Sequence, residues 1–389
     1  MNLPGLCLFY GGMLDSRNVV NTFATCLAVA CALTLLWLGV GYSLVYGATG
    51  GAILGGLDKA FLSGMGPIAP LAVTGPGVPV PLHAVFQATY ATITPCLIIG
   101  AYAGRMRFFP SIALCAGWML AVYCPFARMV WGGGLLEQMG LVDFAGGIVI
   151  HITAGFAALV AAMYMRPRRR LPKSHGPPNL VSIMVGTGLI WATWLAFNAG
   201  STPTSAPGMH LAWVFATSMT AASTGGVTWL LTDSCTGSKR PTALGLCLGI
   251  VAALVGITPA ALFVSLPGAV AIGAITALCC RAAMEWMRAT RVDDACEVFG
   301  LHGTGGIVGN ALTALFAATQ LGGSQVIPNL WAQFALHMGA AGAACAWSGA
   351  VTWLLLAAMD ACIPGGVRVT SAVEDIGLDA GIHGEAATQ

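Results

Sequence analysis

Long apolar runs recur from one end of this chain to the other. The stretch 21–47 holds no charged side chain, and further apolar segments lie at 1–13, 83–103, 108–130, 144–165, 180–200, 208–232, 242–258, 260–284, 298–319 and 330–361. A membrane-spanning helix takes about 20 apolar residues. The runs do not alternate polar and apolar side chains, so helices are expected rather than a barrel. The fold class is therefore an all-α polytopic membrane protein of about eleven transmembrane helices. Composition removes the alternatives. Only 8% of the 389 residues are charged and 57% are hydrophobic, where a soluble domain carries roughly 25% charged residues. A net charge of +2 gives no basic surface for nucleic acid.

The basic residues orient the chain. Arg17, Arg105, Arg107, Arg166, Arg168, Arg169, Arg170, Lys173, Lys239, Arg240, Arg281, Arg288, Arg291 and Arg368 all fall on one side of the eleven segments. Only Lys59 and Arg128 fall on the other. Positive charge collects in the cytoplasm, so the C-terminus is expected inside and the N-terminus outside. The Pro-rich stretch 64–82 is then an outer loop, and basic 166–179 an inner loop between two halves. Residues 1–368 form the transmembrane domain and 369–389 a polar cytoplasmic tail. The 13 cysteines are scattered through apolar runs without metal-ligand spacing; they read as small apolar packing residues. No metal or cofactor is expected.

Short patterns occur twice. Ile93-Thr94-Pro95 in segment 3 returns as Ile257-Thr258-Pro259 in segment 8. Asp143 precedes His151 by eight residues, and Asp294 precedes His302 by eight. Phe9-Tyr10-Gly11-Gly12 in segment 1 echoes Phe197-Asn198-Ala199-Gly200 in segment 6. Together they align a half at about 1–165 with one at about 180–319, leaving 330–361 as a final helix. Five helices per half is odd, so the halves run oppositely, as in transporters whose substrate path lies at the repeat interface. At 1.5 Å per residue each histidine sits roughly 12 Å in from its aspartate. Entering a core about 30 Å thick from opposite faces, the two histidines reach toward the midplane, where they can meet.

An ionisable side chain deep in a membrane is a functional candidate. His151 and His302 suit a path that passes hydrogen bonds or protons. Asp143 reads better as a helix cap than as a direct ligand. Trp131, beside Gly132-Gly133-Gly134, fits an interfacial aromatic belt better than a cation–π platform. Phe86, Tyr90 and Phe197 read locally as packing, and Ser201 as a turn cap or a mouth-lining hydroxyl.

With these residues in place the chain resembles the ammonium transporter (Amt/Mep/Rh) superfamily, its Amt branch in particular. The resemblance rests on Pro4-Gly5-Leu6 through Gly12, Phe86-Gln87 with Ile93-Thr94-Pro95, Asp143 through Gly147 with His151, Phe197 through Ser201, Asp293-Asp294 through Gly303, and Gly377-Leu378-Asp379 with His383-Gly384-Glu385. It implies a homotrimer in the cell membrane, each subunit with its own pore. It implies ammonium recruitment at Trp131, Ser201, Tyr90 and Asp143, a gate of Tyr90 and Phe197, and passage along an apolar path lined by His151 and His302. A PII-type regulatory protein docking on the cytoplasmic face is a further implied partner. Two departures stand out. Tyr90 replaces the phenylalanine usual at that gate position. The first segment offers only about 13 residues where about 20 are needed to span, so the chain is expected to start inside helix 1. A receptor-like ammonium sensor is the alternative function, for which the tail is short. A membrane-embedded enzyme lacks a nucleophile–base set.

Overall fold

The computed structural model describes residues 2–65, 78–169, 177–202, 207–236 and 239–386, and backbone only for 207 and 208. Much of the Pro-rich 64–82 and basic 166–179 loops, with Arg170 and Lys173, lies outside the described residues. Helices account for the fold, and among the described residues only three isolated bridges stand in for β-structure.

Among the described residues, eleven apolar helices follow the sequence segments in order. They are α1 (Asn2–Met13), α2 (Val19–Leu36, continued through a π turn to Tyr46), α3 (Val80–Tyr102) and α4 (Phe108–Trp118, continued through a π turn to Trp131). Then come α5 (π turn Gly147–Ile152, then Thr153–Met165), α6 (Leu180–Gly200), α7 (Pro207–Cys235) and α8 (Ala243–Ile257). The last are α9 (Leu266–Ala289), α10 (π turn Phe299–Gly303, then Thr304–Phe316) and α11 (Leu330–Cys362). Among the described residues, seven helical stretches are long and apolar enough to cross a membrane by themselves. Four helices start where a side chain satisfies orphan amides: Asn179 caps α6, Thr242 α8, Ser265 α9 and Asn329 α11.

A very close crossing joins α5 to α10. A Cβ on Gly155 would overlap the amide nitrogen and Cα of Gly303, and one on Gly306 would press on the backbone of Ile152. Gly155 lies four residues after His151 and Gly306 four after His302. Each helix thus rests its glycine on the residue just after the other's histidine. Close backbone approach through small residues is the usual way helices associate in lipid, where no hydrophobic drive joins them.

The doubled Ile-Thr-Pro pattern lands differently in its two copies. Thr94 and Thr258 make the same back-bond, to Tyr90 O and Leu254 O, each at 2.7 Å. Yet Pro95 sits mid-helix in α3, whereas α8 stops at Ile257. Past that stop, Thr258 O and Pro259 O accept the Ala145 and Phe144 amides, so the end of α8 holds the entry to α5.

Charge separates the two ends. At the basic end Arg105, fully buried, donates to Arg166 O at 2.7 Å and to Asp293 O at 2.8 Å, and Arg168 pairs with Asp293 at 2.7 Å. Burial alone would raise the Asp293 carboxyl; the Arg168 and Arg105 guanidiniums more than offset it and hold it below the ordinary range. The tail folds onto this end. Val369 N–H donates to Arg105 O, Arg368 pairs with Glu374, and Asp379 accepts from Val20 and Asn21 N–H at the start of α2. At the opposite end Lys59 donates to Tyr46 O, and Arg128 to Val45 O, Gly47 O and Gly51 O. Both cations therefore close the C-terminal end of α2, where the helix dipole favours positive charge.

The α5–α10 crossing gives a stability prediction. Gly155→Val is expected to cost at least ~1–3 kcal/mol, because neither backbone yields. Gly188→Ala, on α6, meets nothing within 4 Å and is expected to be neutral or stabilising. Thermal unfolding in detergent, followed by tryptophan fluorescence, reads both.

Candidate functional site

Helical spacing brings the candidate residues to one axis. On α3, Phe86, Tyr90, Ile93 and Leu97 recur at three- and four-residue steps and share a face. On α6, Ile190, Trp194 and Phe197 do the same, with Asn198 one turn after Trp194 beside them. Tyr90, Ile93 and Leu97 of α3 and this face of α6, with Ile150 and His151 of α5, Val251 of α8 and His302 of α10, line a narrow, predominantly apolar cavity.

One end of the cavity is aromatic. The Tyr90 ring meets Phe197 edge-on at 4.4 Å and Phe86 at 5.2 Å, and Trp131 leans over it at 5.9 Å. Trp131 is fixed there by its indole N–H, which donates to Asp143 O at 2.8 Å. The local sequence favours the belt for this residue; the structure ties it to the turn that leads into α5. Tyr90 O–H donates to Phe197 O and contacts Ser201 Oγ, both at 2.7 Å. Trp131, Tyr90, Phe197 and Ser201 thus meet at one mouth.

Asp143 lies just behind. Its Oδ1 accepts from Gly146 and Gly147 N–H and its Oδ2 from Ile148 and Val149 N–H. Gly146 makes this turn possible, since its φ of +113° suits glycine. Four amides occupy both oxygens, so the carboxylate is committed to capping the π turn that carries His151. Its charge reaches the mouth through the Trp131 bond and through space, not by an open lone pair.

The two histidines meet inside the cavity. His151 and His302 approach Nδ1 to Nδ1 at 3.1 Å, with rings stacked at 5.2 Å and 21°. Each is 3% exposed. Such a contact needs one proton between the two nitrogens, so one ring is the Nδ1–H tautomer and the other accepts. Each histidine sits in a π turn, which rotates its side chain relative to a regular helix.

Two neighbours escape a reading of the sequence. Trp194 stacks on His151 at 5.2 Å and 19°, while its indole N–H donates to Thr258 Oγ1. Its position three residues before Phe197 is the available signal. His337 of α11 is buried against Asn310, its Nδ1 2.9 Å from Asn310 Oδ1, and its Nε2 receives the Val142 N–H next to Asp143. Nothing in its local sequence marks it. Among the described residues no three His, Cys, Asp or Glu side chains stand together as a metal site.

The second aspartate behaves unlike the first. Asp294 Oδ2 accepts from Phe299 N–H, while its buried Oδ1 has no partner in the structure. Burial pushes its carboxyl up to about 7, against the Phe299 bond and Arg105 and with the help of Glu297. A carboxyl protonated more readily folded than unfolded, where it titrates near ~3.9, favours folding only while it keeps its proton. That contribution is full below about pH 4 and is lost as the pH rises through about 7. Asp294→Asn is expected to flatten thermal stability between pH 5 and 8, read as unfolding midpoints across that range.

The family model described as Ammonium Transporter Family matches residues 1–388. The chain is 39% identical to an ammonium transporter of Aquifex aeolicus over all of its own length and 89% of that protein's. It is 37% identical to one of Bacillus subtilis over 99% of this chain and 94% of that one. Among solved structures, Candida albicans Mep2 superposes with a TM-score of 0.85 at 33% identity, over 95% of this chain and 83% of the other. A protein described as a sensor Amt superposes at 0.88 with 26% identity, over 98% and 94%.

Proposed function

The chain belongs to the ammonium transporter family, and on that premise we propose that it carries ammonium across a cell membrane through the cavity between α3, α5, α6 and α10. The carrying observation is the contact of His151 with His302 inside a cavity otherwise lined mainly by apolar side chains. Ammonium is recruited at the aromatic mouth, where Trp131 and Tyr90 offer π faces to a cation and Ser201 offers a hydroxyl. Asp143 supports the mouth by holding Trp131 and by placing negative charge behind it. Tyr90 and Phe197 gate the way in.

Beyond the gate the path is too apolar for a bare cation, whose desolvation is prohibitive. Ammonium and potassium are similar in size, so a rigid hole separates them poorly. A cation able to give up its proton can leave it behind and continue as neutral ammonia. The histidine pair then guides it by hydrogen bonds, one nitrogen accepting and one donating. The working assembly in this reading is a homotrimer with one path per subunit. The two five-helix halves are inverted repeats, the basic end and tail face the cytoplasm, and a PII-type protein is a candidate partner there. A sensor role is the competing outcome.

The test is a reconstituted ammonium pulse. Proteoliposomes should show current or internal pH change with ammonium, and little with potassium. His151→Ala with His302→Ala should lower that discrimination by roughly tenfold or more, the scale of losing positioned hydrogen bonds in a dry site. Silence of the unaltered protein would favour the sensor; unchanged selectivity in the double variant would remove the histidines from their role.

A further inference from the structure

Tyr90 carries a hydroxyl that its place in an aromatic gate does not require. Its partners define what that hydroxyl does. The first is Phe197 O, in the last turn of α6. That carbonyl has lost the usual helical partner, because the Ser201 amide turns to Asn198 O and the Thr202 amide to Ala199 O. The Tyr90 O–H therefore closes an orphan carbonyl, and it does so on the other gate residue. The second partner is Ser201 Oγ, at 2.7 Å.

Counting protons fixes the direction of the chain. A carbonyl only accepts, so the single Tyr90 proton goes to Phe197 O. The contact between the two hydroxyls then needs a proton from Ser201. Ser201 donates to Tyr90, and what its oxygen presents elsewhere is lone pairs. A serine so oriented suits an N–H donor, as a cation with four N–H bonds is, and turns no O–H toward the nitrogen lone pair of a neutral amine.

From this geometry we infer that the Tyr90 hydroxyl is a positioning and specificity group with two effects: it latches the gate shut by binding α3 to α6, and it holds Ser201 as an acceptor for the protonated substrate. The inference rests on the transport function proposed above. Both effects come from one oxygen and pull kinetic constants in different directions. Opening the gate by swinging the Tyr90 ring, 1% exposed as it stands, breaks the bond to Phe197 O, which slows passage. Orientation of Ser201 strengthens capture.

Tyr90→Phe keeps the ring and removes only the hydroxyl. In proteoliposomes, the maximal rate of ammonium uptake and the half-saturating concentration should both rise, each by roughly two- to tenfold, the worth of one net hydrogen bond. Ser201→Ala should raise the half-saturating concentration alone. Adding Tyr90→Phe to Ser201→Ala should then raise the maximal rate with no further change in half-saturation, because the acceptor it oriented is gone. Unchanged constants in Tyr90→Phe, with an active unaltered protein, overturn the inference and leave the transport reading standing. So does a fall in maximal rate, which marks the hydroxyl as mere support. An unaltered protein that moves no ammonium overturns the transport reading itself and this inference with it.

Discussion

The backbone contact between α5 and α10 is the constraint on which the rest of the site depends. Helices in lipid gain nothing by hiding apolar surface from one another, so close packing has to come from shape. Gly155 and Gly306 supply that shape, each fitting beside the residue just after the opposite histidine. Side chains as large as imidazole can then face each other at hydrogen-bond distance without a gap for water. The π turns add the rotation that aims both rings inward. Asp143 fixes the first of these turns through four amides, and α8, by ending at Ile257, leaves carbonyls that anchor the residues just before it.

Much of this is legible in the sequence because a membrane writes its demands in plain periodicities. Every apolar segment becomes a helix, since a backbone without water has few other ways to satisfy its polar groups. The paired aspartate-to-histidine spacings by themselves point to the contact of His151 and His302. The capping role of Asp143 is likewise favoured, as an aspartate at the start of a helix suits the N-terminal dipole. The choice of distant partners is not legible. Trp194 stacks on His151, and His337 reaches the loop before Asp143, through contacts 43 and 195 residues away in sequence. Local pattern does not encode such meetings. The Ile-Thr-Pro repeat shows the converse: identical residues make the same threonine back-bond, yet one copy continues a helix and the other stops it, because the chain beyond each proline packs against different neighbours.

The basic end illustrates how few charges can organise a largely apolar chain. Arg105 has no exposed surface, yet its guanidinium binds the carbonyl of Arg166 and both the backbone and the side chain of Asp293. It thereby gathers the loop after α3, the loop after α5 and the approach to α10 at one point. A lysine cannot reach three separate acceptors from a planar fork. The tail joins the same point through Val369, so loops from both halves and the C-terminal segment share one polar knot.

The two cations at the opposite end have a consequence of their own. Lys59 and Arg128 lie near the end where the aromatic mouth opens, Arg128 one turn before Trp131. Free in solvent, either would repel a positive ion arriving from bulk water. Both are instead drawn into backbone carbonyls at the end of α2, and the carboxylates of Asp58 and Glu137 lie on the same end. Two cations thus stand against two carboxylates around the aromatic end, so its field at long range is close to balanced, and what distinguishes it close up is ring faces and hydroxyls.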